Sequence, residues 1–546
     1  MGAMRRRDFL RAALGASAGA AACRLAPIQA PLPEGEVVGA AASLGHRVRE
    51  ARVERPGPDR WEHVEVAIVG AGIAGLAAAR RLRRAGVEDF VLLDVEPAVG
   101  GTSRSGRTGG LAHPWGAHYL PAPAASNPDL VELLDEMGVV EGRDVEGEPV
   151  FAEEVLVRDP EERVFYRGRW YEGLYLTAGA GPADLEELRR FQSILDDWSG
   201  RVDGRGRRAF AVPSDAGSDD ADLAALDAIT MASWMDERGF GSPRLRWLVD
   251  YACRDDYGLR AEGTSAWAGL YYFAARIPKP GRESEPLLTW PEGNGRIVSH
   301  LARFARGAIR TGVVAIDVEP VAEGVEIVAA AASGEVRGLR ARHAIFAAPQ
   351  FVARHVVGPW RREPPDHLDA FTYAPWLVAN LHLRDRPVDR GFPAAWDNVL
   401  YESDALGYVV ATHQAGIDRG ETVWTWYEAL AGRDPRDARD RLEKATQPQL
   451  AERVLSDLDR AHPDLRSRVA RLDVMKWGHA MVRAVPGFRF GRDRVAASRP
   501  LGRLHFANAD LAGLPLIEEA FFHGNRAADA ILESRRAPDL SRGARS

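Results

Sequence analysis

The chain has 546 residues, 46% of them hydrophobic, which is enough apolar content for a folded body of two or more lobes. Its formal net charge is −7, yet residues 1–23 hold four arginines against one aspartate, a surplus of three, so the remainder carries about −10 and nucleic acid is a poor partner for it. Two cysteines, Cys23 and Cys253, and the lack of any HExxH or CxxC spacing argue against a metal site or disulfide framework, and three lysines (Lys279, Lys444, Lys476) offer few amines for catalysis.

Arg6-Arg7-Asp8-Phe9-Leu10-Arg11 precedes a weakly apolar run, Ala12–Ala22, and residues 1–23 together resemble a twin-arginine export signal. The run is too short and too weakly apolar to span a bilayer. The resemblance implies a periplasmic or envelope-associated protein. Ala20-Ala21-Ala22-Cys23 is similar to a degenerate lipobox, which would make Cys23 a lipid anchor; plain cleavage is the alternative. Residues 24–60, rich in Ala, Pro, Gly and Arg, read as a linker.

The pattern then sharpens. Val64–Val69 is a short apolar strand, Gly70–Gly75 a turn, Leu76–Ala85 an Ala/Leu helix and Phe90–Asp94 a second buried strand, a βαβ unit in about 30 residues. Residues 120–280 read as mostly helical, with helices over Pro182–Asp197 and Ala221–Arg238 and a mobile loop over Gly200–Asp220. Further strands fall at Val313–Val318, Gly324–Ala329, Ala344–Ala347, Trp376–Leu383 and Thr422–Trp426. Helices fit Asp437–Glu443 and Leu450–Leu458, and the chain closes on strand Leu504–Ala507 and helix Glu518–Leu532. No internal repeat is present.

Gly70-Ala71-Gly72-Ile73-Ala74-Gly75 carries the clearest chemistry. The first glycine permits a tight turn, the second lets backbone approach a pyrophosphate, and the third lets helix and strand pack closely. The helix start at Ile73 and Ala74 offers unpaired N–H groups to phosphate. Asp94, at the end of the second strand, suits ribose hydroxyls. Gly100-Gly101-Thr102-Ser103-Arg104 adds backbone N–H groups and a guanidinium suited to the pyrophosphate.

With these motifs the chain resembles the flavin-dependent amine oxidase group, which includes monoamine and polyamine oxidases, with phytoene-desaturase-type enzymes as relatives. The resemblance rests on Gly70/Gly72/Gly75, Asp94, Gly100-Gly101, Gly116-Ala117-His118-Tyr119, Val314 and the closing Phe506…Asp510…Gly524 segment. It implies an α/β fold: a Rossmann-like FAD-binding domain in ββα layers, and a discontinuous mixed α+β substrate domain. The first would comprise 61–120, 285–355 and 490–540, the second 121–284 and 356–489. By the same resemblance Asp510 would bond the ribityl chain, the Val314 backbone would meet the adenine, Gly116, Ala117 and His118 would line the flavin, and the backbone at Ile517 would face its N1–C2=O edge. The implied activity is oxidation of a small-molecule amine, with a polyamine as one option, by hydride transfer to flavin N5. A C–C desaturase or isomerase on an apolar substrate, and a flavin-binding or electron-transfer subunit, are the rival readings.

Several residues depart from the group's pattern. Many members place a lysine near flavin N5, whereas strand Pro375–His382 puts Val378 there, so the electron acceptor is open between O₂ and a quinone or cytochrome. No cysteine stands at the C-terminal motif, so FAD is expected to be non-covalent. Leu516 stands where one aromatic of the amine-sandwiching pair would be. Trp477-Gly478-His479 gives a candidate flavin wall in Trp477 and a candidate proton acceptor in His479; a packed structural histidine is the alternative for His479 and for His118. Asp255, Asp256, Glu518 and Glu519 are candidate cation binders, and Tyr271 and Tyr272 read as core.

Overall fold

The computed structural model describes residues 31–39, 44–45, 48–49 and 55–536, apart from 283 and 433. The arginine pair, the lipobox-like stretch and Cys23 lie outside these residues. In chain order the elements that position the site are strand β1 (Trp61–Val69), helix α1 (Ile73–Arg84) and strand β2 (Phe90–Leu93), then β3 (Tyr119–Pro121), β4 (Glu162–Tyr166), β5 (Arg169–Glu172), α2 (Pro243–Tyr257) and α3 (Ala266–Ala274). Strands β6 (Ile309–Arg310), β7 (Val313–Val321), β8 (Gly324–Ala331) and β9 (Val336–Phe346) follow. After them come β10 (Tyr373–Leu383), β11 (Asp397–Leu400), β12 (Gly407–Val410), β13 (Thr422–Ala429), β14 (Val469–Val482), β15 (Leu504–Phe506) and helix α4 (Ile517–Arg536).

Two seven-stranded sheets organise the molecule. The first runs β6-β2-β1-β9-β8-β7, with β15 paired to β9. The pairings among β1, β2, β6, β9 and β15 are parallel, those of β8 with β9 and β7 antiparallel, and Val66, Ala67 and Ile68 of β1 are fully buried, as strands covered on both faces must be. Ala77, Ala78 and Ala79 let α1 lie close to its neighbours, and α4 packs against α1: a Cβ on Gly524 would sit 2.2 Å from the Ala74 carbonyl oxygen. The second sheet runs β14-β10-β13-β12-β11-β4-β5, antiparallel except for the β11/β4 pair.

Three expectations change. The stretch 120–280 is not mostly helical throughout, because Val140–Arg143 pairs with Pro149–Phe151 and β4 pairs with β5; the short aromatic and β-branched runs there fit a pleated surface. The Ala221–Arg238 helix is two helices, Ala221–Asp227 and Met231–Glu237, the second started by Thr230, whose Oγ1 accepts from the Ser233 amide at 3.1 Å. Part of the 24–60 linker is strand-like: Val38 N–H donates to Val474 O at 2.7 Å and the Leu472 amide to Glu34 O at 2.8 Å, so residues 34–38 cover the edge of β14. The 200–220 loop is irregular but tied down, with the Ser214 amide donating to Glu519 Oε1 at 2.6 Å.

Candidate active site

The glycine turn between β1 and α1 is built as its spacing requires. Gly70 has φ +109°, a conformation side chains resist, and a Cβ on Gly75 would stand 1.9 Å from Gly70 O. A Cβ on Gly72 would meet nothing within 4 Å. That open space lies at the start of α1, where no side chain caps the first amides, those of Ile73, Ala74 and Gly75. Gly100 and Gly101 face it, with Gly72 and Gly100 bridged. These features fit a pyrophosphate.

Asp94 braces the turn: Oδ2 accepts from the Ala71 amide at 2.6 Å and Oδ1 from the Glu96 amide at 2.8 Å, while burial pushes its carboxyl up to about 6. Each oxygen keeps a lone pair for a ribose hydroxyl. Arg104, read from the sequence as a pyrophosphate partner, pairs with Glu96 at 2.9 Å, lies 5.4 Å from the Trp477 ring centroid and has Nη2 3.7 Å from Met475 Sδ. Val314 is buried in β7 with Leu44, Ile316, Val328 and Ala330. Asp510 Oδ2 accepts from Tyr373 Oη at 2.5 Å and the Gln350 amide at 2.8 Å, which leaves Oδ1 without a protein donor among the described residues. A polyol hydroxyl fits there. Ile517 opens α4 and lines the chamber described next, so the helix's positive end is aimed into it. The set fits FAD.

Beside this half lies a chamber with about 810 Å³ of empty space, its mouth included. Its walls bring together Thr102, Gly116–Tyr119, Val378, Trp477 and Ile517, all singled out from the sequence, with Trp376 and Tyr427, which were not. Trp477 is fixed by its Nε1–H, which donates to Trp115 O at 2.7 Å; Tyr427 Oη donates to Gly116 O at 3.0 Å. His118 stacks on Tyr427 at 4.7 Å, and burial lowers its imidazole to about 4, so it is neutral at pH 7. His479 is not among the chamber's lining residues: it stacks on Phe351 at 4.0 Å, which places it outside the reacting space and withdraws it as the proton acceptor there.

The chamber's far wall is acidic. Asp255 and Asp256 end α2, and Tyr119 Oη lies 3.1 Å from Asp255 Oδ2 and 3.0 Å from Asp256 Oδ1, one hydroxyl proton between two carboxylates. Arg276 Nη2 pairs with Asp256 Oδ2 at 2.9 Å. Behind them Asp397 of β11 and Glu162 of β4 are register partners on adjacent strands, two acids side by side where like charges destabilise a sheet. Asp397 Oδ2 accepts from Tyr251 Oη at 3.2 Å; the Glu162 carboxyl takes no protein donor among the described residues. Burial and then Asp256 push Asp255 up to about 7. Burial, Glu161 and Asp255 push Glu162 up to about 8, and burial, Glu162 and Asp255 hold Asp397 well above the usual carboxylate range. Glu518, at the start of α4, lines the same chamber and is pushed by burial up to about 7; Glu519 points away, to Ser214. Sequence reading missed Glu162 and Asp397, which no local pattern marks.

Residues 73–532 match the family described as flavin containing amine oxidoreductase. The fold is similar to that of a putrescine oxidase solved with putrescine bound (TM-score 0.63, 16% identity, 87% of this chain and 100% of that one). It is likewise similar to cyclohexylamine oxidase from Brevibacterium oxydans (TM-score 0.62, 18% identity, with the same coverage). Among curated proteins, a Baeyer-Villiger monooxygenase of Streptomyces coelicolor is 46% identical over 68 residues, 12% of this chain and 13% of that protein. One of Pseudomonas aeruginosa is 34% identical over 89 residues, 16% and 17% of the two chains. The chain thus spans less than a fifth of either monooxygenase.

Proposed function

The chain belongs to the flavin containing amine oxidoreductase family, and from that premise we propose that it is an FAD-dependent enzyme oxidising a cationic amine, with diamines or polyamines as the favoured class. One observation carries this reading: three carboxylates line the chamber, Asp255, Asp256 and Glu518, with Asp397 and Glu162 behind them, against Arg276 in the wall and Arg254 behind it. Surplus buried carboxylates are costly unless protonated or met by a cation. An apolar alkene offers them nothing, and an acid-lined chamber is superfluous in a plain electron carrier.

Bound flavin supplies the hydride acceptor; the protein binds, orients and keeps water out. Trp376, Tyr427 and Trp477 pack the substrate's carbon chain. An ammonium remote from the reacting carbon docks on the acidic wall. The reacting nitrogen must be neutral for the adjacent carbon to release hydride, so that end of the substrate reacts as the free amine. The product imine is then hydrolysed. Residues 1–23 support export by the twin-arginine route to the periplasm or cell envelope, with FAD already in place.

Anaerobic mixing of the purified yellow protein with monoamines, diamines and triamines tests the proposal. Diamines or longer are expected to bleach the flavin band; bleaching by an apolar alkene but by no amine overturns it.

A further inference from the structure

A second cavity, with about 670 Å³ of empty space, adjoins the chamber and reaches exposed Ser126. The two share Pro121, Asp256, Arg276, Leu516 and Glu518 in their walls, so the Arg276–Asp256 pair stands where they meet. Arg276 stands two residues beyond the end of α3. Its backbone carbonyl is held by the Glu285 amide at 2.8 Å, its guanidinium lies 4.1 Å from the Tyr272 ring centroid, and Nη2 reaches both Asp256 Oδ2 (2.9 Å) and Tyr119 Oη (3.4 Å).

That grip is one-handed. Both contacts use Nη2, and Nε and Nη1 take no protein acceptor among the described residues. An arginine meant as a fixed strut meets carboxylate with two parallel bonds. A single-nitrogen pair is easier to exchange for another cation. The outer cavity gives the side chain somewhere to go, since Glu285 lines it as well.

We propose that Arg276 is a displaceable cationic plug between the two cavities: at rest it fills the place of a substrate's second ammonium, and it yields only to a substrate that brings that charge itself. This makes Arg276 a specificity-determining residue, selecting extended amines with two or more positive charges whose distal part lies in the outer cavity. The inference rests on the amine reading above. An uncharged chain tip would have to break the Asp256 pair and leave a buried carboxylate without a counter-charge, which the dication avoids.

The test uses flavin-loaded protein and two matched probes, pentylamine and cadaverine, in anaerobic flavin bleaching. The parent should favour cadaverine strongly in kcat/KM. In Arg276→Met the preference should fall by about tenfold or more, because pentylamine gains, a change of the size that single pocket contacts produce. Arg276→Lys keeps a charge on Asp256 and should retain the preference. An unchanged ratio in Arg276→Met overturns the plug. A second readout needs no turnover: acrylamide, a neutral quencher, should reach the flavin faster in Arg276→Met than in the parent, and equal quenching overturns the plug as well. If no amine bleaches either protein, the amine reading fails while the quenching arm still decides on Arg276. Should Arg276→Met not load flavin, Arg276→Gln is measured in the same two ways.

Discussion

Neutralising one partly buried acid should make the protein more stable, not less, at alkaline pH. Glu162 is pushed up to about 8 by burial and by Glu161 and Asp255, whereas in an open chain it ionises near 4.5. Between those values the folded state holds a proton that the unfolded state has lost. Stability is therefore full below about pH 4.5 and drains away as pH rises through 8. The whole interval is worth up to about 5 kcal/mol, and water in the chamber reduces it. Glu162→Gln keeps the shape and removes the titration. Denaturant unfolding of flavin-loaded protein should show a shallower decline between pH 5 and 8, with the variant ahead of the parent by about 1–3 kcal/mol at pH 8 and level near pH 4.5. The same variant should lose affinity for diamines, because one carboxylate of the acidic wall is gone. Parallel pH curves for variant and parent would show that Glu162 is ordinarily solvated, and the carboxylate surplus behind the amine assignment would shrink accordingly.

FAD should leave the denatured protein intact, since the one described cysteine, Cys253, is buried in α2 away from the C-terminal motif; flavin retained on the denatured chain would show a covalent bond. Gly72→Val should abolish FAD binding by filling the open space at the start of α1, while Asp94→Ala should weaken it by about 1.5–3 kcal/mol, the range for bonds to a charged group; equal FAD content in Gly72→Val and parent would remove the turn from the site. Arg6-Arg7→Lys-Lys should leave FAD-loaded protein in the cytoplasm, and normal secretion of that form would exclude the twin-arginine route. Photoreduced protein should reoxidise slowly in air-saturated buffer and quickly with a quinone. Val378 offers no charge, His118 is neutral, and Arg276, the cation lining the chamber, is paired with Asp256, so little stabilises a developing superoxide. Equal rates in stopped flow would make this an oxidase.

What the sequence revealed of this site divides along contact range. The turn at Gly70–Gly75, the Asp94 brace and the Gly100-Gly101 turn involve neighbours within one βαβ unit, and each signals itself by a glycine or an acid at a fixed offset. The acidic wall is different. Glu162 and Asp397 become neighbours only because β4 pairs in parallel with β11 across a long insertion, and nothing local marks either residue. Asp255, Asp256 and Glu518 stood out as charges, but their common target, the space beside Tyr119, exists only once α2, β3 and α4 converge.

His479 shows how a correct element can still mislead. In a regular strand Trp477 and His479, two residues apart, share a face, so a flavin-wall tryptophan brings the histidine with it. Strand β14 is irregular there: Trp477 pairs with Trp376 and Met481 with Ala374, four residues against two across a bulge. The extra residues rotate the strand, so that Ala480 and Met481 join Trp477 in the chamber wall while His479 turns to Phe351. The chamber is thereby left without an imidazole able to take a proton near neutrality, because His118 is held down to about 4.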